Sequence, residues 1–254
     1  GRIGMVNVLT PAYPATDSPA DQHAADLYNA FYTDFIMDGA FLGHYSARTL
    51  SLINEILRAN NATLTVEDSD MEELAKAAPR NDMFGLNYYQ SAFIAAYDGE
   101  STNSFNGTGD KGTSCFKFKG VGQQVDMPGI PTTDWDWLIY PQGLYDTLKH
   151  ISATYPNLPV IYITENGLGH NGIVADPERI DFVDQHMEKV LQARAEGVDV
   201  QGYFIWSLQD QFSWANGYNK RYGLFYIDFD TQKRYIKQSA LWYKELADTM
   251  ADAQ

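Results

Sequence analysis

Cysteine is nearly missing. Cys115 stands alone in 254 residues, which excludes an intrachain disulfide framework and a cysteine-based zinc site. A single thiol also suits a reducing cytoplasm, the expected compartment. No run of about 18 apolar residues occurs, so no segment reads as a membrane-spanning helix. The start lacks a basic stretch followed by an apolar one, the pattern of a secretory signal. The N-x-T sequons at Asn61 and Asn106 are therefore read as chance matches. No G-x-G-x-x-G follows a strand-like run, which argues against dinucleotide binding. Cations are scarce too: 18 Lys+Arg stand against 33 Asp+Glu, a formal net charge of −15. That balance argues against nucleic acid as a partner. It also makes an anionic ligand costly to bind unless cations are gathered locally.

What is abundant is aromatic. Phe, Trp and Tyr make up 14% of the chain, with 17 Tyr and 5 Trp, enough either to line a ring-binding cleft or simply to fill a large core. Four short apolar runs read as buried parallel strands, Ile3–Val8, Phe84–Tyr89, Val160–Thr164 and Gly202–Leu208, because each is nearly continuous rather than alternating. Helical spacing is read over Ala20–Phe41, Ala47–Ala59, Glu67–Ala78, Pro141–Tyr155, Pro177–Gly197 and Lys237–Ala251. Strand–helix alternation predicts an α/β protein with a parallel sheet. A (β/α)8 barrel needs eight strands, and only four are legible, widely spaced. The pattern therefore predicts half of a larger barrel with long βα loops. The chain opens at Gly1 almost directly in "IGMVNV", as a chain cut inside a domain would. The stretch Gly99–Pro131, rich in Gly, Ser, Thr and Asn, reads as a long inserted loop with a hairpin at Ser114–Lys119.

Three segments carry chemistry. In "VIYITENGLG" (160–169), Glu165 falls at the C-terminal end of an apolar strand, and barrel active sites sit at that end. A carboxylate there is either a nucleophile or base, or a cap for the next helix. In "FGLNYYQS" (84–91), Asn87, Tyr88 and Tyr89 end another strand on the same face. A tyrosine hydroxyl there can orient a carboxylate, or merely pack in the core. In "GYFIWSLQDQFSWANGYNKRYGLF" (202–225), Trp206 and Trp214 could stack on the apolar face of a sugar, although a single Trp is more often core. The same segment gathers Lys220 and Arg221 beside Ser213, Tyr218 and Tyr222 in an otherwise acidic chain.

In order and spacing, "GLNYY", "YITENG", "GYFIWSLQDQFSWANGYNKRYGLFYIDF" and "YIKQSALWYKEL" resemble glycoside hydrolase family one over nearly the whole chain. The resemblance implies strands five to eight of a (β/α)8 barrel and retaining hydrolysis of β-glycosides by two glutamates, with no metal or organic cofactor. Glu165 matches the nucleophile, Asn87 and Tyr89 match residues that contact the substrate and the nucleophile, and Trp206 matches the platform beneath the sugar. The acid/base glutamate belongs to a T-x-N-E-P type motif that is missing; "INEI" (53–56) sits in a helical pattern and does not qualify. Where most members carry a sugar-binding Glu, this chain has Ser213. The resulting S-x6-K-x-Y pattern resembles the 6-phospho-β-glycosidase branch, in which Ser213, Lys220 and Tyr222 would hold a 6-phosphate. A carboxylate would repel that dianion; a hydroxyl donates to it and a lysine neutralises it. Trp214 resembles the galacto enzymes of the branch. The implied substrate is a disaccharide phosphate of the lactose 6-phosphate type, with a phospho-β-glucosidase or dual-specificity enzyme as the alternative. An inactive half-barrel that binds only sugar phosphate, or its missing N-terminal half, is the alternative of another class. Arg221 is open between ligand and structural ion pair.

Overall fold

The computed structural model describes residues 1–104, 112, 114–170, 174–214 and 217–252; Asn106 and Asn216 lie outside them. The chain opens with β1 (Met5–Val8) and β2 (Ala12–Pro14). Ser18 starts α1 (Pro19–Asn29), its hydroxyl accepting from the Asp21 N–H at 3.1 Å while Pro19 takes the first helical position. The helix expected over Ala20–Phe41 is present but not regular: π turns at Ala30–Asp34 and Asp38–Leu42 flank a short α2 (Phe35–Met37). Then come α3 (Ala47–Ala59), capped by Ser46, and α4 (Asp68–Ala77). Next are the strands β3 (Phe84–Asn87), β4 (Ala92–Ala95), β5 (Thr102–Ser104), β6 (Cys115–Phe118) and β7 (Gly122–Gln124). The chain continues as α5 (Pro141–Thr154), β8 (Ile161–Asn166), α6 (Pro177–Ala195) and β9 (Val200–Ile205). It closes with β10 (Phe225–Ile227), β11 (Arg234–Ile236) and α7 (Gln238–Asp252).

The four apolar runs form one sheet in the order β1-β3-β8-β9, every neighbouring pair parallel. A helical stretch follows each strand, giving four successive βα units with all strand C-termini on one side. The central strands are buried as predicted: Phe84, Leu86 and Ile163 have no exposure and Ile161 has 2%. The two edge strands depart from the prediction. Val6 and Val8 in β1 are half exposed, and so is Phe204 in β9: these side chains project from a face of the sheet that the described residues leave uncovered at its edges. The main core lies between the sheet and the helices, where Leu144, Leu148 and Ile151 of α5 and Val190 and Ala193 of α6 meet the strands.

Two expectations are corrected. The inserted stretch is not a loop with one hairpin. Its strands β5, β6 and β7 add to β2 and β4 in a second sheet of order β2-β4-β7-β6-β5, which packs on α1 through Tyr28, Ile94 and Val121. Its strands are three or four residues long, too short to show a period in sequence. The last parallel strand also ends early. It stops at Ile205, so Trp206 lies beyond the sheet, joined to Ser207 by a cis peptide.

Candidate active site

Glu165 reaches the C-terminal edge of the sheet across an irregularity in the β3–β8 pairing, where the register slips by one residue after Ile163. Ile161 and Ile163 face the core, and Glu165 then pairs with Asn87 of β3, its carbonyl accepting from the Tyr88 N–H at 2.9 Å. Its neighbour Asn166 fixes the edge. Fully buried, Asn166 donates through Nδ2 to the Tyr88 carbonyl at 2.8 Å and accepts at Oδ1 from the Tyr203 hydroxyl. One amide thus ties β3, β8 and β9 together beside the carboxylate. Gly167 follows because a Cβ there would lie 2.0 Å from the Trp206 carbonyl oxygen. The helix-capping role is excluded: α6 begins only at Pro177, and the Glu165 Oε2 accepts instead from the Tyr89 hydroxyl.

The strand expected over Phe84–Tyr89 stops at Asn87, so Tyr88 and Tyr89 lie just beyond it, and the two side chains part. Tyr88 is fully buried; its hydroxyl meets Ser91 Oγ at 2.8 Å and donates to the Tyr140 carbonyl at 2.7 Å. Tyr89 faces the carboxylate. Burial, and then the hydrogen bond to Glu165, push its phenol well above the ordinary range, so it remains a donor. Asn87 accepts from Thr164 Oγ1 at 2.6 Å, which orients its amide next to Glu165.

The second cluster is cationic and aromatic. Lys220 is only 3% exposed. It makes no ion pair among the described residues; its ammonium lies 4.7 Å from the Trp135 ring centre and 5.8 Å from that of Trp137. Burial lowers its pKa to about 8, the charge of Asp136 opposing the fall. Both indoles come from one turn. Thr133 N–H donates to the Trp137 carbonyl at 2.8 Å, and Asp136 sits at φ 65°, a left-handed conformation that Asp tolerates better than most residues. Tyr222 is buried, its ring 6.3 Å from Trp137. Ser213 lies at the mouth of a loop closed by mutual backbone hydrogen bonds with Gly217 at 2.8 and 2.7 Å. Trp214 is 98% exposed and meets the edge of Phe212, so no sequence-predicted site residue packs against its ring.

A separate ion network holds the backbone that presents these groups. Asp210 accepts from Arg221 at 2.8 Å, Lys237 at 3.0 Å and the Gly223 N–H at 2.9 Å. Asp176 accepts from Arg179 at 2.8 Å and from the Ser239 hydroxyl at 2.7 Å. Arg179 in turn donates to the carbonyls of Tyr222 at 2.9 Å and Arg221 at 3.2 Å. Arg221 also lies over the rings of Tyr226 and Phe229. It thus makes a structural ion pair with Asp210.

The two clusters touch. Glu165 bonds to Tyr89, whose ring lies 5.4 Å from Trp137, and Trp137 adjoins both Lys220 and Tyr222. Sequence reading missed Trp135 and Trp137; the signal available was the pair of Trp alternating with Asp at 134–137. Among the described residues no His/Cys/Asp/Glu group is arranged to hold a metal, and no helix is long and apolar enough to cross a membrane.

Comparison with known proteins bears on this geometry. The family Glycosyl hydrolase family 1 matches residues 1–251. The 6-phospho-beta-galactosidase 1 of Streptococcus pneumoniae serotype 4 is 55% identical over 97% of this chain and 54% of its own length. The 6-phospho-beta-galactosidase of Clostridium acetobutylicum is 50% identical over 97% of the chain and 53% of its own. The chain thus spans about half the length of the curated relatives it matches. Among solved structures, the beta-glucosidase of Exiguobacterium antarcticum B7 superposes with a TM-score of 0.81 at 30% identity, covering 99% of this chain and 52% of that one. The four βα units are accordingly half of a (β/α)8 barrel.

Proposed function

The chain belongs to glycosyl hydrolase family 1, and from that premise we propose that residues 1–254 are the C-terminal part of a single barrel domain that hydrolyses 6-phospho-β-D-galactosides with retention. Glu165 is the nucleophile. It attacks the anomeric carbon while an acid from the N-terminal half, whose T-x-N-E-P motif this chain lacks, protonates the leaving oxygen. Water then releases the glycosyl-enzyme. The two carboxyl groups of such an enzyme stand roughly 5–5.5 Å apart. Tyr89 orients Glu165 through its hydroxyl, Asn87 contacts the substrate beside it, and Trp206 and Trp214 pack on the sugar. Ser213, Lys220 and Tyr222 take the 6-phosphate. No step needs a metal or an organic cofactor.

The observation that carries the reading is Lys220. A buried ammonium with no carboxylate partner is costly, and in a chain of net charge −15 it would find one easily on the surface. It faces indoles instead, as suits a site whose counter-ion is an incoming phosphate dianion. Binding that phosphate, remote from the broken bond, helps position the anomeric carbon over Glu165. The missing acid motif favours a second reading for this chain alone: it binds sugar phosphate without turning it over, and becomes active only with an N-terminal half.

The test is hydrolysis of a chromogenic aryl β-galactoside 6-phosphate by the 254-residue chain, with and without a supplied N-terminal half. Turnover only with both parts, lost in Glu165→Gln, is expected. Turnover by the chain alone would mean that a working acid lies within these residues. A faster rate on the gluco epimer would move the assignment to a phospho-β-glucosidase.

A further inference from the structure

Trp135 is the most deeply buried large side chain beside Lys220, at 1% exposure. Its position is unusual in two ways. Its indole Nε1 has no hydrogen-bond partner among the described residues, although a buried indole N–H ordinarily finds one. The ring is therefore not anchored by its polar edge. Beneath that edge lies Gly169, where a Cβ would come within 2.0 Å of Nε1 and 3.0 Å of the Tyr222 ring. Only glycine leaves the ring where it is. Above its face lies the Lys220 ammonium at 4.7 Å, within the range at which a ring quadrupole attracts a cation.

We propose that Trp135 is a positioning residue for the anion site: its indole face, admitted by Gly169, holds the Lys220 ammonium toward the phosphate it receives. This rests on the phosphate reading of Lys220 given above. The physical case is a choice of counter-charge. A carboxylate beside Lys220 would neutralise the ammonium and repel a phosphate. An aromatic face stabilises the same cation without a competing negative charge. It also removes rotamers in which Lys220 would turn away, so less freedom is lost when the anion arrives. Trp137 covers the ammonium from farther off, at 5.8 Å, and adjoins Tyr89, so its contribution is divided with the nucleophile. Among the described residues Asp136 is the charged group that acts on the ammonium, its charge favouring protonation; the Tyr222 phenol, beside Trp137, is kept neutral by burial.

The test measures inorganic phosphate binding to the 254-residue chain at pH 7 by calorimetry, together with the titration midpoint of the Lys220 side chain by NMR. Trp135→Phe keeps a ring but weakens its face, and is expected to bind phosphate about three- to tenfold more weakly and to lower the Lys220 midpoint. Gly169→Ala, which pushes the indole aside without touching Lys220, is expected to weaken phosphate similarly. Trp135→Leu is expected to weaken it further than Trp135→Phe. If both Trp135 variants bind phosphate as the parent does, with an unmoved Lys220 midpoint, while Lys220→Gln abolishes binding, Trp135 is only core and the proposal falls with the phosphate reading intact. If Lys220→Gln binds phosphate unchanged, the phosphate reading fails, and the proposal with it. Loss of stability in the Trp135 variants without a change in midpoint or affinity would likewise overturn it.

Discussion

Two buried lysines lie a short stretch apart in the chain and are treated in opposite ways. Lys237 is fully buried and donates to Asp210 at 3.0 Å, in a network where Arg221 shares the same carboxylate. Lys220 is almost as deeply buried, yet it faces Trp135 and Trp137 with no ion pair among the described residues. Burial depresses the pKa of both, most plainly for Lys220, at about 8. The difference lies in what offsets that burial. For Lys237 the fold supplies the counter-charge, so the lysine belongs to the scaffold that holds the 207–224 segment. For Lys220 the described residues offer two indole faces and the charge of Asp136 but no ion pair, and the phosphate reading proposed above rests on that difference.

The contrast can be broken most forcefully at Lys237. Lys237→Met leaves Asp210 a buried carboxylate short of one partner, and a loss of about 3–5 kcal/mol is expected in urea denaturation. Lys220→Met removes a buried charge that makes no ion pair among the described residues, only a longer-range attraction to Asp136. Unchanged or raised stability is expected, with phosphate affinity falling at least about tenfold, the scale of a charge-assisted hydrogen bond. Should Lys220→Met destabilise the chain as much as Lys237→Met does, the distinction is wrong.

The pH dependence sharpens it. The folded Lys220 value of about 8 lies below the ordinary 10.5, so between these values the unfolded chain holds more protons than the folded one. Stability from this residue therefore rises with pH across that window, and the penalty is fully present below about 8. The stability gap between the parent and Lys220→Met should close as pH rises from about 8 toward 10.5. Phosphate affinity moves the other way, weakening above about pH 8 as the ammonium loses its proton. The two trends are read from denaturation and calorimetry over one pH series, and a parallel change in both would sink the assignment. The smallest effect is expected at Tyr89→Phe, which removes the hydroxyl from Glu165. It should cost the folded chain no more than about 1.5 kcal/mol while lowering turnover of the assembled barrel in the phosphoryl-galactoside assay.

Much of this was legible in the chain. The four parallel strands were, because Phe84–Leu86 is fully buried and Ile161–Asn166 is nowhere fully exposed, so both read as nearly continuous apolar runs. Glu165 and Tyr89 were placed at strand ends by the same reasoning, but the hydrogen bond between them depends on a register shift between β3 and β8 and on the turn of the chain beyond Asn87, neither of which shows in sequence. The second sheet was not legible. Thr102–Ser104 and Gly122–Gln124 are three residues each, and their partners, not their composition, make them strands. Trp206 was put inside a strand that ends one residue before it.

The sequence by itself determined the βα order, the carboxylate at the sheet's C-terminal edge and the concentration of Ser213, Lys220 and Tyr222 in one acidic chain's few cationic segments. Only the tertiary structure decided which lysine is scaffold and which is left without a counter-charge. Asp210 reaches Lys237 across 27 residues, and the Thr133–Trp137 turn meets Lys220 from a different part of the chain. Hydrophobic period is a local property of a helix or strand and shows in the order of residues. The counter-charge of a buried ammonium is a property of whatever folds against it.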